Sequence, residues 1–370
     1  MSLLDSIRMQ IRQQGDMPFV DFMHQALYTP TLGYYSSGLQ KFGVDGDFTT
    51  APELTPLFGK TLANQLQQVL SGLENPIIFE FGAGSGKLCV DILTHLEHFD
   101  NLPDEYHILE VSADLQVRQR DLIYAKIPHL INRVKWLKEW PIKPFNGVVI
   151  ANEVLDAMPV HRFLQTKDNL CESYITLNEN NELLEVFKPC VNLRLNAHVE
   201  AILPKDLYPY QSEVNLFIDD WIKQSYAMLN KGAFFIIDYG FPRHEYYHPD
   251  RSQGTLMCHH RHLAKVDPLA HVGEQDITAH VDFTHVAEVA HNAGFHVAGY
   301  TNLAAFLLSN GFLSLLPYDK DDTLDVKMQL AVKLLLQPSE MGELFKVMAL
   351  TKDIDLPLNG FLEHDKRASL

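Results

Sequence analysis

A chain of 370 residues with 46% hydrophobic content can bury a large core, as two or three domains or as one α/β unit with long insertions. Its formal charge of −17 repels polyanions, and no Lys/Arg cluster tracks a phosphate backbone, which argues against nucleic acid as a partner. The four cysteines, Cys89, Cys171, Cys190 and Cys258, form no close pair, which points to a reducing compartment and away from a zinc knuckle or disulfide framework.

The N-terminal MSLLDSIRMQIRQQGDMPF lacks the apolar core of a signal peptide, and no apolar run reaches the roughly eighteen residues of a membrane span. The expectation is a soluble intracellular protein with no membrane partner. Residues 1–72 carry helical apolar spacing in SIRMQIRQQ, FVDFMHQALY and LFGKTLANQLQQVL, and form a predicted N-terminal helical segment. They are interrupted by the glycine-rich LGYYSSGLQKFGVDGDFTTAPE, a long excursion for a compact domain. With Gly46, Asp47, Phe48, Thr49 and Thr50 in it, the excursion is read as a lid over a ligand; a surface loop packed by its own aromatics is the alternative.

From residue 73 to 240 short apolar runs alternate with amphipathic segments: PIIFEF, a helix at KLCVDILTHLEHF, YHILEV, a helix at ADLQVRQRDLIYAK, VKWL and GVVIANEV. This pattern predicts an α/β core with a mainly parallel sheet covered on both faces. HRFLQTKDNLCESYITLNENNELLEVF reads as an antiparallel insertion near 160–200, and SEVNLFIDDWIKQSYAMLNKG as a helix stopped by Gly232. AFFIIDYG is then a central strand ending at Asp238. Residues 241–292 form a predicted histidine-rich insertion returning through a helix closed by Gly294. Residues 293–370 complete the core, with a helix at TLDVKMQLAVKLL.

In EFGAGSG the glycines Gly82, Gly84 and Gly86 permit a sharp turn after a strand and a close backbone approach to a ligand. Glu80 just before them is unattractive for a pyrophosphate and suits an ammonium. Glu110, closing the next strand, is placed to accept both hydroxyls of a ribose. Together these residues point to S-adenosylmethionine, with NAD left open as the weaker reading because GxGxG matches the dinucleotide fingerprint only in part.

In ANEVLDAMP, after the fourth core strand, Asn152, Glu153 and Asp156 belong at the carboxyl ends of strands, where α/β proteins bind ligands. If the segment turns helical, Glu153 and Asp156 share one face; the alternative is that Asn152 and Asp156 only cap the turn. His280, Asp282 and Asp238 border apolar elements and are further site residues or organisers of turns. Cys258, His259, His260 and His262 do not have a metal-site pattern, since HxxxH lacks the glutamate of HExxH, and no metal is expected.

The motifs FMHQALYTPTLGYY, FGVDGDFTTAPELTPLFGKTLA, FEFGAGSGKL, ANEVLDAMPV, IDYG, GTLMCHHRH and DITAHVDFT occur in this order over about residues 17–310. The chain thereby resembles the MidA-like family of class I S-adenosylmethionine-dependent methyltransferases, which includes a mitochondrial complex I assembly factor that is a protein arginine methyltransferase. The resemblance implies a Rossmann-like, seven-stranded methyltransferase core with N-terminal helices and inserted helical and antiparallel elements. It implies S-adenosylmethionine at Gly82, Ala83, Gly84, Gly86 and Glu110, with the GDFTTAPE stretch at the cleft. Where the family often has Gly-Pro-Gly, this chain has Ala83, which keeps the turn small and gives up the fixed φ of proline.

The expected activity is methyl transfer to an arginine of a protein, with Glu153 and Asp156 gripping the guanidinium and Asn152, Asp282 and His280 beside them. A small-molecule acceptor, or a non-catalytic assembly factor that keeps the fold, are the other readings. The expected location is the bacterial cytoplasm, with a mature mitochondrial matrix form as the alternative, and the expected assembly is a homodimer.

Overall fold

The computed structural model describes residues 2–36, 50–260, 263–265, 267–317 and 324–370. The chain forms two compact units. The first takes Met1–Phe48, Leu155–Asp219 and Phe241–Asp282; the second takes Thr49–Val154, Asp220–Gly240 and Phe283–Leu370.

The second unit is built on the strands β1 (Ile77–Phe81), β2 (Glu105–Leu109), β3 (Val134–Leu137), β4 (Phe145–Asn152), β5 (Leu229–Phe241), β6 (His296–Asn302) and β7 (Phe345–Lys352). They lie in the order β6-β7-β5-β4-β1-β2-β3. The first five are parallel to one another, and β7 runs antiparallel between β5 and β6. The strand order reverses between β1 and β4, the position where such sheets open a ligand crevice beyond their carboxyl ends. Both strands are nearly continuous apolar runs because helices cover the sheet, and Ile78, Ile108, Val148, Ile150, Phe235, Ile237 and Val347 share one core with Leu62, Leu66, Leu88 and Ile92. Helix Pro56–Leu70 packs on helix Lys87–Glu97. A Cβ at Gly59 would lie 2.6 Å from the Cβ of Asp91, so only glycine permits that approach.

The first unit is mainly antiparallel. Leu170–Leu177 pairs with His161–Gln165, Leu183–Pro189 and Met17–Pro18, and His161–Gln165 pairs with Tyr210–Val214. A small sheet joins Met257–His260 to Leu263–Lys265 and Asp276–Thr278. The helices Leu3–Gln14 and Phe19–Tyr28 supply Ile7, Phe22, Met23 and Leu27 to a core shared with Val160, Ile175, Leu256 and Ile277.

Three sequence expectations need correction. The segment read as one helix from Ser212 to Gly232 divides into the strand Tyr210–Val214, the helix Ile218–Met228 and the start of β5 at Leu229. Ser212 and Glu213 are fully buried, and one oxygen of the Glu213 carboxylate accepts the Thr255 N–H at 2.8 Å. The pattern therefore imitates an amphipathic helix while the backbone bonds to His161–Gln165. The domain boundaries also differ: residues 49–72 join the sheet unit rather than the N-terminal segment, and residues 241–282 share a core with the N-terminus. Finally, residues 153–158 form bends and a turn, with no helix.

Candidate cofactor and acceptor site

The carboxyl ends of β1, β2, β4 and β5 carry a continuous set of polar groups within the second unit. After β1 the chain turns through Gly82, Gly84 and Gly86 at φ +60°, +51° and +86°. These are left-handed conformations that cost L residues roughly 1–2 kcal/mol each. The requirement at these positions thus lies in the backbone as well as in space for a ligand; a Cβ at Gly82 would meet only Val154, at 3.8 Å. Gly86 caps helix Lys87–Glu97, and Ala83 between the first two glycines is buried in the core.

Glu80 is buried at the end of β1 and accepts a hydrogen bond from the Tyr106 hydroxyl at 2.8 Å. Burial pushes its carboxyl up to about 8; the Tyr106 bond opposes the rise, and the nearby Glu110 charge adds to it. Such a group is held protonated near neutrality and is primed to ionise for a cation.

Glu110, one residue beyond β2, is also buried. Its Oε1 accepts the Ser112 N–H at 2.9 Å and its Oε2 the Gln119 side-chain amide at 3.2 Å. Gln119 was not singled out in the sequence and is a hub of this edge: its amide also donates to the Gly84 carbonyl at 3.0 Å, and its Oε1 accepts the Trp136 indole N–H at 2.9 Å. The signal for it lies in helix Ala113–Lys126, whose buried positions are Leu115, Gln119 and Ile123: one polar residue stands in an apolar stripe.

After β4, Glu153 sits half-buried at φ +53°, an unusual conformation for a glutamate. Its N–H donates to the Ile237 carbonyl at 2.9 Å, and the next N–H, that of Val154, donates to Asp238 at 3.2 Å. The other Asp238 oxygen accepts the Tyr239 N–H at 2.9 Å. The Asn152 amide donates to the Glu153 carboxylate at 3.1 Å, and Asn152 Oδ1 is buried without a hydrogen-bond partner. An orphaned acceptor at the carboxyl end of the strand next to the one that feeds the glycine turn, on the same sheet edge as an oriented Glu110, fits a ligand rich in N–H and O–H donors.

Asp156 belongs to the first unit, where its Oδ1 accepts the Ala157 N–H at 2.8 Å. The shared helical face predicted for Glu153 and Asp156 is absent, because the left-handed Glu153 turns the chain out of helical geometry at once. In the same unit His280 stacks on Phe241 with centroids 5.2 Å apart and bonds to Thr255, and Asp282 pairs with Arg243 at 3.2 Å. Thr50 is buried and precedes helix Ala51–Leu54. Gly46, Asp47, Phe48 and Thr49 lie outside the described residues, as does His262. His260 stacks on His271 with centroids 4.1 Å apart. Among the described residues no group of three His, Cys, Asp or Glu is arranged to hold a metal ion.

A family described as "Putative S-adenosyl-L-methionine-dependent methyltransferase" matches residues 58–301. A crystal structure of a Burkholderia thailandensis protein bound to S-adenosyl-homocysteine is 41% identical, with a TM-score of 0.94 over all of this chain and 96% of that one. A native structure from the same organism gives 40% identity and a TM-score of 0.92, again over all of this chain and 96% of that one. The mitochondrial protein arginine methyltransferase NDUFAF7 of Xenopus tropicalis is 27% identical, over 97% of this chain and 89% of its own length.

Proposed function

The chain belongs to the MidA-like family of class I S-adenosylmethionine-dependent methyltransferases, and from that premise we propose that its acceptor is an arginine side chain of a protein. Bound at the glycine turn and Glu110, S-adenosylmethionine supplies an electrophilic methyl group. What this chain adds is orientation and charge. A guanidinium is a poor nucleophile because its positive charge is delocalised. Glu153 projects from the carboxyl end of β4, on a backbone fastened to β5 on both sides of the turn, and offers a carboxylate to hold one guanidinium nitrogen in line. Its charge-assisted hydrogen bonds raise the electron density on that nitrogen.

The observation that carries the reading is the left-handed φ of Glu153: strain in a half-buried acid at a strand end marks a functional position. The arginine methyltransferase names of relatives 24–27% identical support the same acceptor. The test is incubation with isotopically labelled S-adenosylmethionine and a cell extract, followed by amino-acid analysis. Label is expected on arginine, and Glu153→Gln is expected to lower transfer roughly a hundredfold, the scale of one lost electrostatic contact to a reacting group, while S-adenosyl-homocysteine still binds. Label on another residue or on a small molecule, or full activity in the variant, would refute the proposal.

A further inference from the structure

A contact made by Glu53, the last residue of the GDFTTAPE stretch, ties the segment before the core to the glycine turn. Helix Ala51–Leu54 is only four residues long and carries Pro52 in its first turn. Immediately after it Thr55 caps the helix Pro56–Leu70, its hydroxyl accepting the Leu57 N–H at 3.3 Å. Glu53, held between these two helix starts, has a side chain only 8% exposed. One of its oxygens accepts the Ser85 hydroxyl, and the other accepts the Lys87 ammonium at 2.5 Å. Ser85 stands between Gly84 and Gly86, and Lys87 is the first residue of the helix that the turn feeds.

A lysine at a helix N-terminus opposes the helix dipole, and a buried carboxylate needs charged or hydrogen-bonding partners. Each offsets the cost of the other only in this arrangement. Glycines that reach left-handed φ also reach many other conformations, so the turn requires an external fastening to keep a single shape.

We propose that Glu53 is a positioning residue for the cofactor, clamping the Ser85–Lys87 tip of the glycine turn in its binding conformation. The proposal rests on the cofactor assignment and is independent of the acceptor. Calorimetric titration of the intact protein with S-adenosyl-homocysteine, together with methyl-transfer kinetics, tests it. Glu53→Gln keeps the shape and loses the charge. It is expected to weaken S-adenosyl-homocysteine roughly tenfold, the scale of one charge-assisted hydrogen bond, and to raise KM for S-adenosylmethionine while kcat at saturation holds. Lys87→Arg, which retains the ion pair, should bind as the parent does, and Lys87→Met should weaken binding. Unchanged affinity in Glu53→Gln, or a fall in kcat at constant KM, overturns the proposal. Should Glu53→Gln fail to fold, Ser85→Ala removes one hydroxyl alone: weakened binding supports the clamp and parental binding overturns it. An unmodified protein that does not bind S-adenosyl-homocysteine would instead sink the cofactor assignment.

Discussion

Replacing Gln119 by leucine tests the construction of the cofactor edge. The residue is fully buried and joins the Gly84 carbonyl, the Glu110 carboxylate and the Trp136 indole, so the substitution breaks three hydrogen bonds. At about 1 kcal/mol for each neutral bond and about 2 kcal/mol for the one to a carboxylate, the loss is about 4 kcal/mol. A side chain of similar size returns about 1–2 kcal/mol through apolar burial, which leaves a net destabilisation of about 2–3 kcal/mol. Urea unfolding of the ligand-free protein measures it, and titration with S-adenosyl-homocysteine should show weaker binding, because Glu110 loses a bond that orients it. Gln119→Glu adds a second carboxylate beside Glu110 and should bind progressively less well as pH rises. A leucine variant less than 1 kcal/mol below the parent, with parental affinity, would refute the reasoning.

Other perturbations follow from the same geometry. Burial holds the Glu80 carboxyl at about 8 in the ligand-free fold, whereas a glutamate in the unfolded chain ionises near 4.5. Between those values the unfolded chain has released a proton that the fold retains, so the Glu80 contribution to stability falls as pH rises from about 4.5 to about 8. The urea midpoint of the parent should therefore drop relative to Glu80→Gln across that window; a constant difference would contradict the burial argument. Gly86→Ala forces an L residue to φ +86° with its Cβ 3.3 Å from the Gln119 Cα, and should cost roughly 1–2 kcal/mol in unfolding measurements and weaken S-adenosyl-homocysteine. Asp238→Asn turns an acceptor for two backbone N–H groups into one that presents an amide N–H to one of them. A loss of about 1–3 kcal/mol is expected, with slower methyl transfer as the Glu153 turn relaxes; parental values in both assays would argue against that role.

The parallel strands and their helices were legible because their apolar residues obey simple periods, and the glycine turn because left-handed backbone favours glycine. Legibility failed where polar residues are buried. Ser212 and Glu213, both fully buried, disguise a strand as a helix, and the Thr255 that bonds the Glu213 carboxylate comes from elsewhere in the chain. The turn at Glu153 depends on carboxylate and carbonyl acceptors of β5, some eighty residues away in the chain, so local propensity favours the wrong conformation. Gln119 and Glu53 act by reaching a loop distant in sequence; the first leaves a trace as a polar interruption in an apolar stripe, the second only as the last residue of the GDFTTAPE stretch. The unit boundaries were hidden because the first unit draws its core from three separate stretches.

The place of β7 bears on how the protein is made. Phe345–Lys352 enters the sheet between β5 and β6, and its first seven residues are buried. Until that strand is in place, β5, which ends up inside the sheet, stands as an open apolar edge, the arrangement most prone to wrong pairing. Any change that removes Phe345–Lys352 takes out the strand that joins β5 to β6, the keystone of that half of the sheet rather than a dispensable margin.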